Sequence, residues 1–339
     1  MPALTTGNRI GDRYRVEVLV GSGGMGSVYK AVDLMSGECV AIKVLHDHLM
    51  DNPRVFHAFR NEAHVQTQLA HPNIVSVLAF IETPYPCIVM PFIDGPSLES
   101  VLEQERNGAP LSVEEVFSII GPVLRALAYS HARQVVHRDI KPGNIMLNRA
   151  GFPGMGRPMI TDFGLVRIMD EGSSTRRVRM GTPPYMAPEQ YRYVQDVGPQ
   201  ADVYAVGMLM WHLFTGTLPV NHRDEVALEA FYDGQFRPQD LVKMDCPVSV
   251  ELSDIVKASL RADLHRRPRD AGAFLEALGI YRSNSSVSYG ADSLDEPATD
   301  EVTLPVGADE LYAKKPLQSP LKQPWFWVLG ALLAWALSR

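Results

Sequence analysis

Disulfide chemistry has almost no material to work with in this chain. Three cysteines, Cys39, Cys87 and Cys246, are scattered over 339 residues and odd in number. That argues against a disulfide framework and against a zinc site, and for a reducing, cytosolic setting. Long runs of one charge are missing too. The net charge is −7, with 32 basic and 39 acidic side chains mixed along the chain. No basic block exists to track a phosphate backbone, so a dedicated nucleic-acid binder is disfavoured and nucleic acid is not an expected partner. The N-terminus lacks a charged-then-apolar signal pattern, from which a cytoplasmic bulk is expected. No internal repeat is visible. What is present is ordinary for a globular protein: 46% hydrophobic residues, too many for wholly disordered chain, and length enough for one large two-lobed domain plus extra segments.

Residues 1–13 read as a short lead-in. From Tyr14 to Val20 polar and apolar residues alternate, the pattern of a half-buried strand, and the run stops at glycines. Further strands are expected at Ser27–Val32, Cys39–Val44, Val75–Glu82 and Cys87–Phe92, with a turn at Ser36-Gly37-Glu38 and a helix over Pro53–Leu69. The result is a small, mostly antiparallel sheet with one helix. After Ser97 helical patterns dominate. Ser112 is the expected cap of a helix reaching Arg133, with Glu115 closing a capping box. Val203–Phe214 is apolar nearly throughout and reads as a buried helix, and others are expected near 224–233, 249–261 and 270–281.

The composition changes at Arg282. Residues 282–324 are rich in Ser, Asp, Glu, Pro and Thr and read as an acidic, mobile linker. Trp325–Leu337 then runs without a charge. At about 1.5 Å per residue it reaches roughly 20 Å, short of a hydrocarbon core of about 30 Å. Its tryptophans, Trp325, Trp327 and Trp335, suit an interface, and Lys314, Lys315 and Lys322 precede it while only Arg339 follows. A membrane anchor at the inner face of the cell membrane is the expectation.

Five short strings occur in one order: Gly21-Ser22-Gly23-Gly24-Met25-Gly26-Ser27-Val28, Val40-Ala41-Ile42-Lys43, His137-Arg138-Asp139-Ile140-Lys141-Pro142-Gly143-Asn144, Asp162-Phe163-Gly164 and Ala187-Pro188-Glu189. Each supplies a part that phosphoryl transfer needs. Gly21, Gly23 and Gly26 let a backbone approach phosphates and donate N–H groups to them. The same spacing marks dinucleotide folds, but those need a helix next, and Val28–Val32 reads as a strand. Lys43 offers a fixed positive charge, and Glu62 on the following helix is the candidate carboxylate to orient it. Asp139 can accept a hydroxyl proton and Lys141 can touch the transferred phosphate. Asn144 and Asp162 carry the oxygens that Mg²⁺ prefers. Singly, each is as well explained as a loop cap; the ordered set is not.

The set resembles the eukaryotic-type (Hanks-type) protein kinases over roughly residues 10–281, and the bacterial serine/threonine branch most. The resemblance implies an α+β, two-lobed protein kinase fold within 14–281, with a sheet-and-helix N-lobe (14–92) and a mainly helical C-lobe (96–281). It implies transfer from ATP to Ser/Thr hydroxyls of proteins, with Mg²⁺ (Mn²⁺ as the alternative), and a homodimer as a candidate assembly. Its nucleotide contacts fall on Leu19, Val20, the run Gly21, Ser22, Gly23, Gly24, Met25 and Gly26, and on Lys43. Val28 and Ala41 would cover the adenine, Met146 would floor it, and Met90 would guard the back pocket. Pro91 stands where relatives commonly have Glu. It lacks an N–H but keeps the C=O that adenine needs, and Ile93 keeps its N–H, so ATP binding should survive with a stiffer hinge. Phe163 would join a hydrophobic spine, Asp202 would brace the catalytic loop, and Glu189 would pair with Arg267. Ser173, Ser174 and Thr175 are expected phosphorylation sites whose phosphate would pair with Arg138, and Thr182 would favour Ser/Thr substrates. Two rivals remain: a pseudokinase scaffold, disfavoured because Lys43, Asp139 and Asp162 are all present, and a small-molecule kinase on the same fold.

Overall fold

The computed structural model describes residues 4–83, 85–152, 154–163, 183–192, 197–220, 225–232, 241–244, 246 and 248–284. These belong to one compact unit, Met1–Tyr289; the second unit, Gly290–Arg339, lies outside them.

The N-terminal lobe is a six-stranded antiparallel sheet: β1 (Arg9–Ile10), β2 (Tyr14–Ser22), β3 (Gly26–Asp33), β4 (Cys39–Leu45), β5 (Ala79–Ile81) and β6 (Cys87–Pro91), in the order β1-β2-β3-β4-β6-β5. Alternation sorts its side chains. Val40, Ile42 and Val44 of β4 enter a cluster with Ile10, Tyr14, Val16 and Ala31 on one face. Leu45 enters the opposite cluster with Val55, Phe59, Ala63 and Met90. Lys43 shares that second parity, which turns it toward helix α2 (Pro53–Thr67). Asn52 caps α2 by accepting the N–H groups of Arg54 and Val55, and Pro53 occupies its first turn. A short α1 (Asp47–Met50) precedes it.

Two differences from the sequence reading concern this lobe. The lead-in is in part a strand, since Arg9 and Ile10 pair with Arg15 and Tyr14 and Ile10 is fully buried. The strand expected over 75–82 is only three residues long. Val75 leaves the sheet because its N–H donates to Ile160 and its C=O accepts from Gln66 Nε2.

The C-terminal lobe is helical: α3 (Leu98–Ser100), continued as a π-helical turn over Val101–Glu105, α4 (Val113–His131), α5 (Pro188–Arg192), α6 (Gln200–Thr215), α7 (Glu225–Ala230), α8 (Val250–Ser259) and α9 (Ala271–Asn284). The expected capping box forms, Ser112 Oγ accepting from Glu115 N and Glu115 Oε2 accepting from Ser112 N. Apolar nearly all round, α6 is buried among α4, α8 and α9. It ends at Gly216 (φ +69°), where a Cβ would meet the Gly108 carbonyl oxygen at 2.0 Å. α9 runs to Asn284, so the first three residues of the segment 282–324 are helical, and the rest of that segment lies outside the described residues.

A hairpin that periodicity did not reveal, β7 (Ile145–Asn148) and β8 (Arg157–Ile160), lies against the segment joining the lobes. Leu147 N–H donates to Pro96 and Arg149 N–H to Asp94. Gly95 permits this approach, because a Cβ there would fall 1.8 Å from the Leu147 carbonyl oxygen.

Candidate functional site

Three of the sequence-derived residues converge where the two lobes face each other. Lys43 Nζ donates to Glu62 Oε1 at 3.2 Å and to Asp162 Oδ1 at 2.8 Å. A small-lobe strand, the helix α2 and a large-lobe loop thus share one ammonium. Burial alone would lower the lysine, but the carboxylates of Asp162 and Glu62 hold it above its ordinary value. Asp162 takes the shorter bond, and the lysine holds it below the usual carboxylate range against its own burial. Glu62 is served less well. Its Oε2 is buried with no hydrogen-bond partner, and burial, offset in part by Lys43, pushes its carboxyl up to about 8. One cation thus holds one carboxyl low and offsets the burial of the second only in part.

Below Asp162 lies the loop 137–144. Asp139 Oδ2 accepts from Lys141 Nζ at 2.8 Å and from Asn144 Nδ2 at 2.9 Å. Asn144 Nδ2 also donates to the Asp139 carbonyl at 2.7 Å. These donors turn one oxygen of Asp139 inward; Oδ1 makes no hydrogen bond to a described residue. His137 is fully buried, its Nε2 donates to the Thr161 carbonyl, and its ring meets Phe163 edge-on at 4.6 Å. Two non-glycine residues here have left-handed backbone, Arg138 (φ +69°) and Asp162 (φ +63°), each costing of order 1–3 kcal/mol.

Asp202 holds the backbone of Arg138 in place. Wholly buried on α6, it accepts the N–H of His137 at 2.8 Å on Oδ2 and the N–H of Arg138 at 2.7 Å on Oδ1. His131 Nε2 adds a bond of 2.8 Å to Oδ2, and His131 Nδ1 accepts from Ala271 N–H. Burial would raise the carboxyl, but the His131 bond and the backbone N–H outweigh it and hold the group low. Farther out, Arg267 makes a two-pronged pair with Glu189, at 2.7 and 3.0 Å. It also donates to the carbonyls of Gln200 and Arg261 and lies over the Tyr204 ring at 4.9 Å.

Of the expected nucleotide contacts, Leu19 and Val20 are exposed, Val28, Ala41, Pro91, Ile93 and Met146 are half-buried, and Met25 and Met90 are buried. Within the glycine run the structure divides the labour. Gly21 and Gly24 face open space, whereas a Cβ on Gly26 would lie 2.3 Å from the Val44 carbonyl oxygen. Gly26 is therefore required by packing on β4. Gly164, Ser173, Ser174, Thr175, Thr182 and the apolar tail lie outside the described residues.

Sequence reasoning missed three supports. Gln190 holds the Arg138 carbonyl through Nε2 at 2.8 Å and accepts from Ala187 N–H; its place beside Ala187-Pro188-Glu189 was the only signal. His131 and His46 carried none beyond their type. No group of three or more His, Cys, Asp or Glu that could hold a metal occurs among the described residues. A divalent cation would instead be held by Asn144 Oδ1 and the Asp162 carboxylate. An amide and an anionic oxygen fit a hard cation that takes its remaining ligands from phosphate and water. Among the described residues no helix is long and apolar enough to cross a membrane.

Residues 14–276 match the model of the protein kinase domain family. The chain is 35% identical over 277 residues to serine/threonine-protein kinase pkn3 of Myxococcus xanthus, covering 79% of this chain and 50% of that protein. It is 33% identical over 286 residues to serine/threonine-protein kinase PknA of Mycobacterium tuberculosis, covering 82% and 63%. The chain spans between about a third and two thirds of the length of such relatives. Among solved structures, the PknI kinase domain of M. tuberculosis matches with a TM-score of 0.65 and 27% identity, over 83% of this chain and 100% of that one.

Proposed function

The chain belongs to the protein kinase family, and on that premise we propose that it transfers the γ-phosphoryl group of ATP to serine and threonine hydroxyls of proteins. The observation that carries this is the ammonium of Lys43 held jointly by Glu62 and Asp162 above a loop that presents Asp139. Lys43, fixed and charged, binds the α- and β-phosphates, and Glu62 sets its direction. The glycine-rich hairpin covers the phosphates with backbone N–H groups. Asp139 accepts the proton of the attacking hydroxyl on its unbonded carboxylate oxygen, while the oxygen of the serine or threonine hydroxyl bonds to phosphorus and the bond to ADP breaks. Lys141, 2.8 Å from Asp139, stands beside the same carboxylate and meets the charge of the moving phosphoryl group. Mg²⁺, with Mn²⁺ as the alternative, held by Asn144 and Asp162 when bound, supplies positive charge to the phosphate oxygens.

A pseudokinase or a small-molecule kinase is the weaker reading. The three groups a pseudokinase tends to lack are present and in register, and the relatives carry protein kinase names. The deciding assay incubates the full chain with labelled ATP and a generic protein substrate beside Asp139→Asn. Label on protein in the first alone supports the proposal; label in neither, or in both, defeats it. The proposal extends to the other segments. Phosphate on Ser173, Ser174 or Thr175 would pair with Arg138, and mass spectrometry finding none there in active protein removes that step. The apolar segment 325–337 would tether the domain to the inner membrane face, and equal solubility of the full chain and a 1–320 truncation removes that one.

A further inference from the structure

The glycine-rich hairpin is held at its tip by a residue that no motif marks. His46 follows β4, three positions after Lys43. Its backbone N–H donates to the Met25 carbonyl at 2.9 Å, and its imidazole Nε2 lies 2.8 Å from the Gly23 carbonyl oxygen. A carbonyl can only accept, so Nε2 carries the hydrogen. The His48 ring lies beside it, stacked at 5.6 Å with 19° between planes, and makes no bond to the tip.

Without these bonds the tip has little to define it. Gly23 N–H closes it internally on Gly26 O at 2.9 Å, while a Cβ on Gly21 or Gly24 would meet nothing within 4 Å. Glycine's wide φ/ψ range makes such a segment entropically costly to order. The peptide unit is planar and trans, so its C=O and N–H point to opposite sides. Fixing the Gly23 carbonyl therefore fixes the Gly24 N–H, and fixing the Met25 carbonyl fixes the Gly26 N–H. Through one bond from its main chain and one from its ring, His46 sets two donors of the tip. It does so from the strand that carries Lys43, since Leu45 is paired with Gly26.

We propose that His46 is a positioning residue for the nucleotide: it pre-orders the hairpin amides over the phosphates and so strengthens ATP binding without entering the chemical step. This rests on the reading of the site as an ATP site. The full chain with His46→Ala is compared with wild type, His46→Gln and His48→Ala. Calorimetry with ATP and Mg²⁺ gives Kd, and steady-state kinetics give KM and kcat. Loss of one such bond should weaken Kd and KM by about two- to tenfold, with kcat at saturating ATP nearly unchanged. His46→Gln keeps an N–H donor and should recover part of the loss, and His48→Ala should stay near wild type. A wild-type Kd in His46→Ala overturns the proposal. So does a loss shared by both His46 variants and matched by a fall in kcat and thermal midpoint, the mark of a structural role. If wild type binds ATP yet labels no protein, the kinase reading fails while the Kd comparison still decides this one. A wild type without ATP affinity overturns both.

Discussion

The two lobes hold their charged groups in different ways. In the large lobe Asp202 is wholly buried, and both its oxygens are bonded: by two backbone N–H groups, which cannot rotate away, and by an imidazole fixed at its other nitrogen. In the small lobe Glu62 is as deeply buried, but its one bond is to the end of a flexible lysine, and its second oxygen is orphaned. The second arrangement leans on an ammonium that is shared with Asp162 across the lobes. The large lobe therefore supplies a platform fixed by backbone groups, and the small lobe holds its carboxyl through one long, rotatable side chain.

The largest effect expected is on the platform's chemistry. Asp139→Asn should lower kcat by about 10²–10⁴-fold while leaving ATP affinity near wild type, measured by phosphate transfer and calorimetry. Next is its scaffold. Asp202→Ala strips the acceptor from two buried N–H groups and from His131 and should destabilise the fold by about 3–5 kcal/mol in chemical denaturation. The acid limb tests the same group. A carboxyl held low in the folded chain contributes stability above the ordinary carboxylate range and loses it as pH falls through the folded value. Thermal midpoints of wild type should thus fall more steeply toward pH 3 than those of Asp202→Asn.

Glu62→Gln should behave in the opposite sense. It keeps an oxygen for Lys43 and replaces a carboxyl that burial already drives toward its neutral form, so stability should move by less than about 1 kcal/mol. An amide cannot take up negative charge opposite the Lys43 ammonium, so kcat/KM should fall by about 10–100-fold. Equal damage to stability and rate in both lobes would erase the contrast. The smallest change is the reference. Glu105→Ala removes an exposed pair with Arg149 and should cost under about 1 kcal/mol.

Much of this was legible beforehand because short-range rules cover it. The alternation along β4 placed Lys43 on the face away from Val40, Ile42 and Val44. Ser112 and Glu115 marked a helix start by local hydrogen bonding. The uniformly apolar 203–214 announced a buried helix. Where long-range bonds compete with local pattern, the reading failed. Val75 and Val77 look like strand, yet Ile160 and Gln66 take the backbone groups of Val75. Ile10 looked like lead-in because a two-residue edge strand has no period to detect. The hairpin 145–160 escaped notice because strands of four residues carry little alternation.

Residue types, their order and their spacing were sufficient to indicate the kind of chemistry, since the ammonium, acidic side chains and glycines that handle phosphate are written in the chain itself. Which partner each group meets was decided only by the tertiary structure. Lys43 and Asp162 are 119 positions apart, and no periodicity reaches that far. Nor could local pattern show that His46, His131 and Gln190 hold the hairpin and the loop, because a polar side chain becomes a support only when folding sets a specific carbonyl or carboxylate within about 3 Å of it.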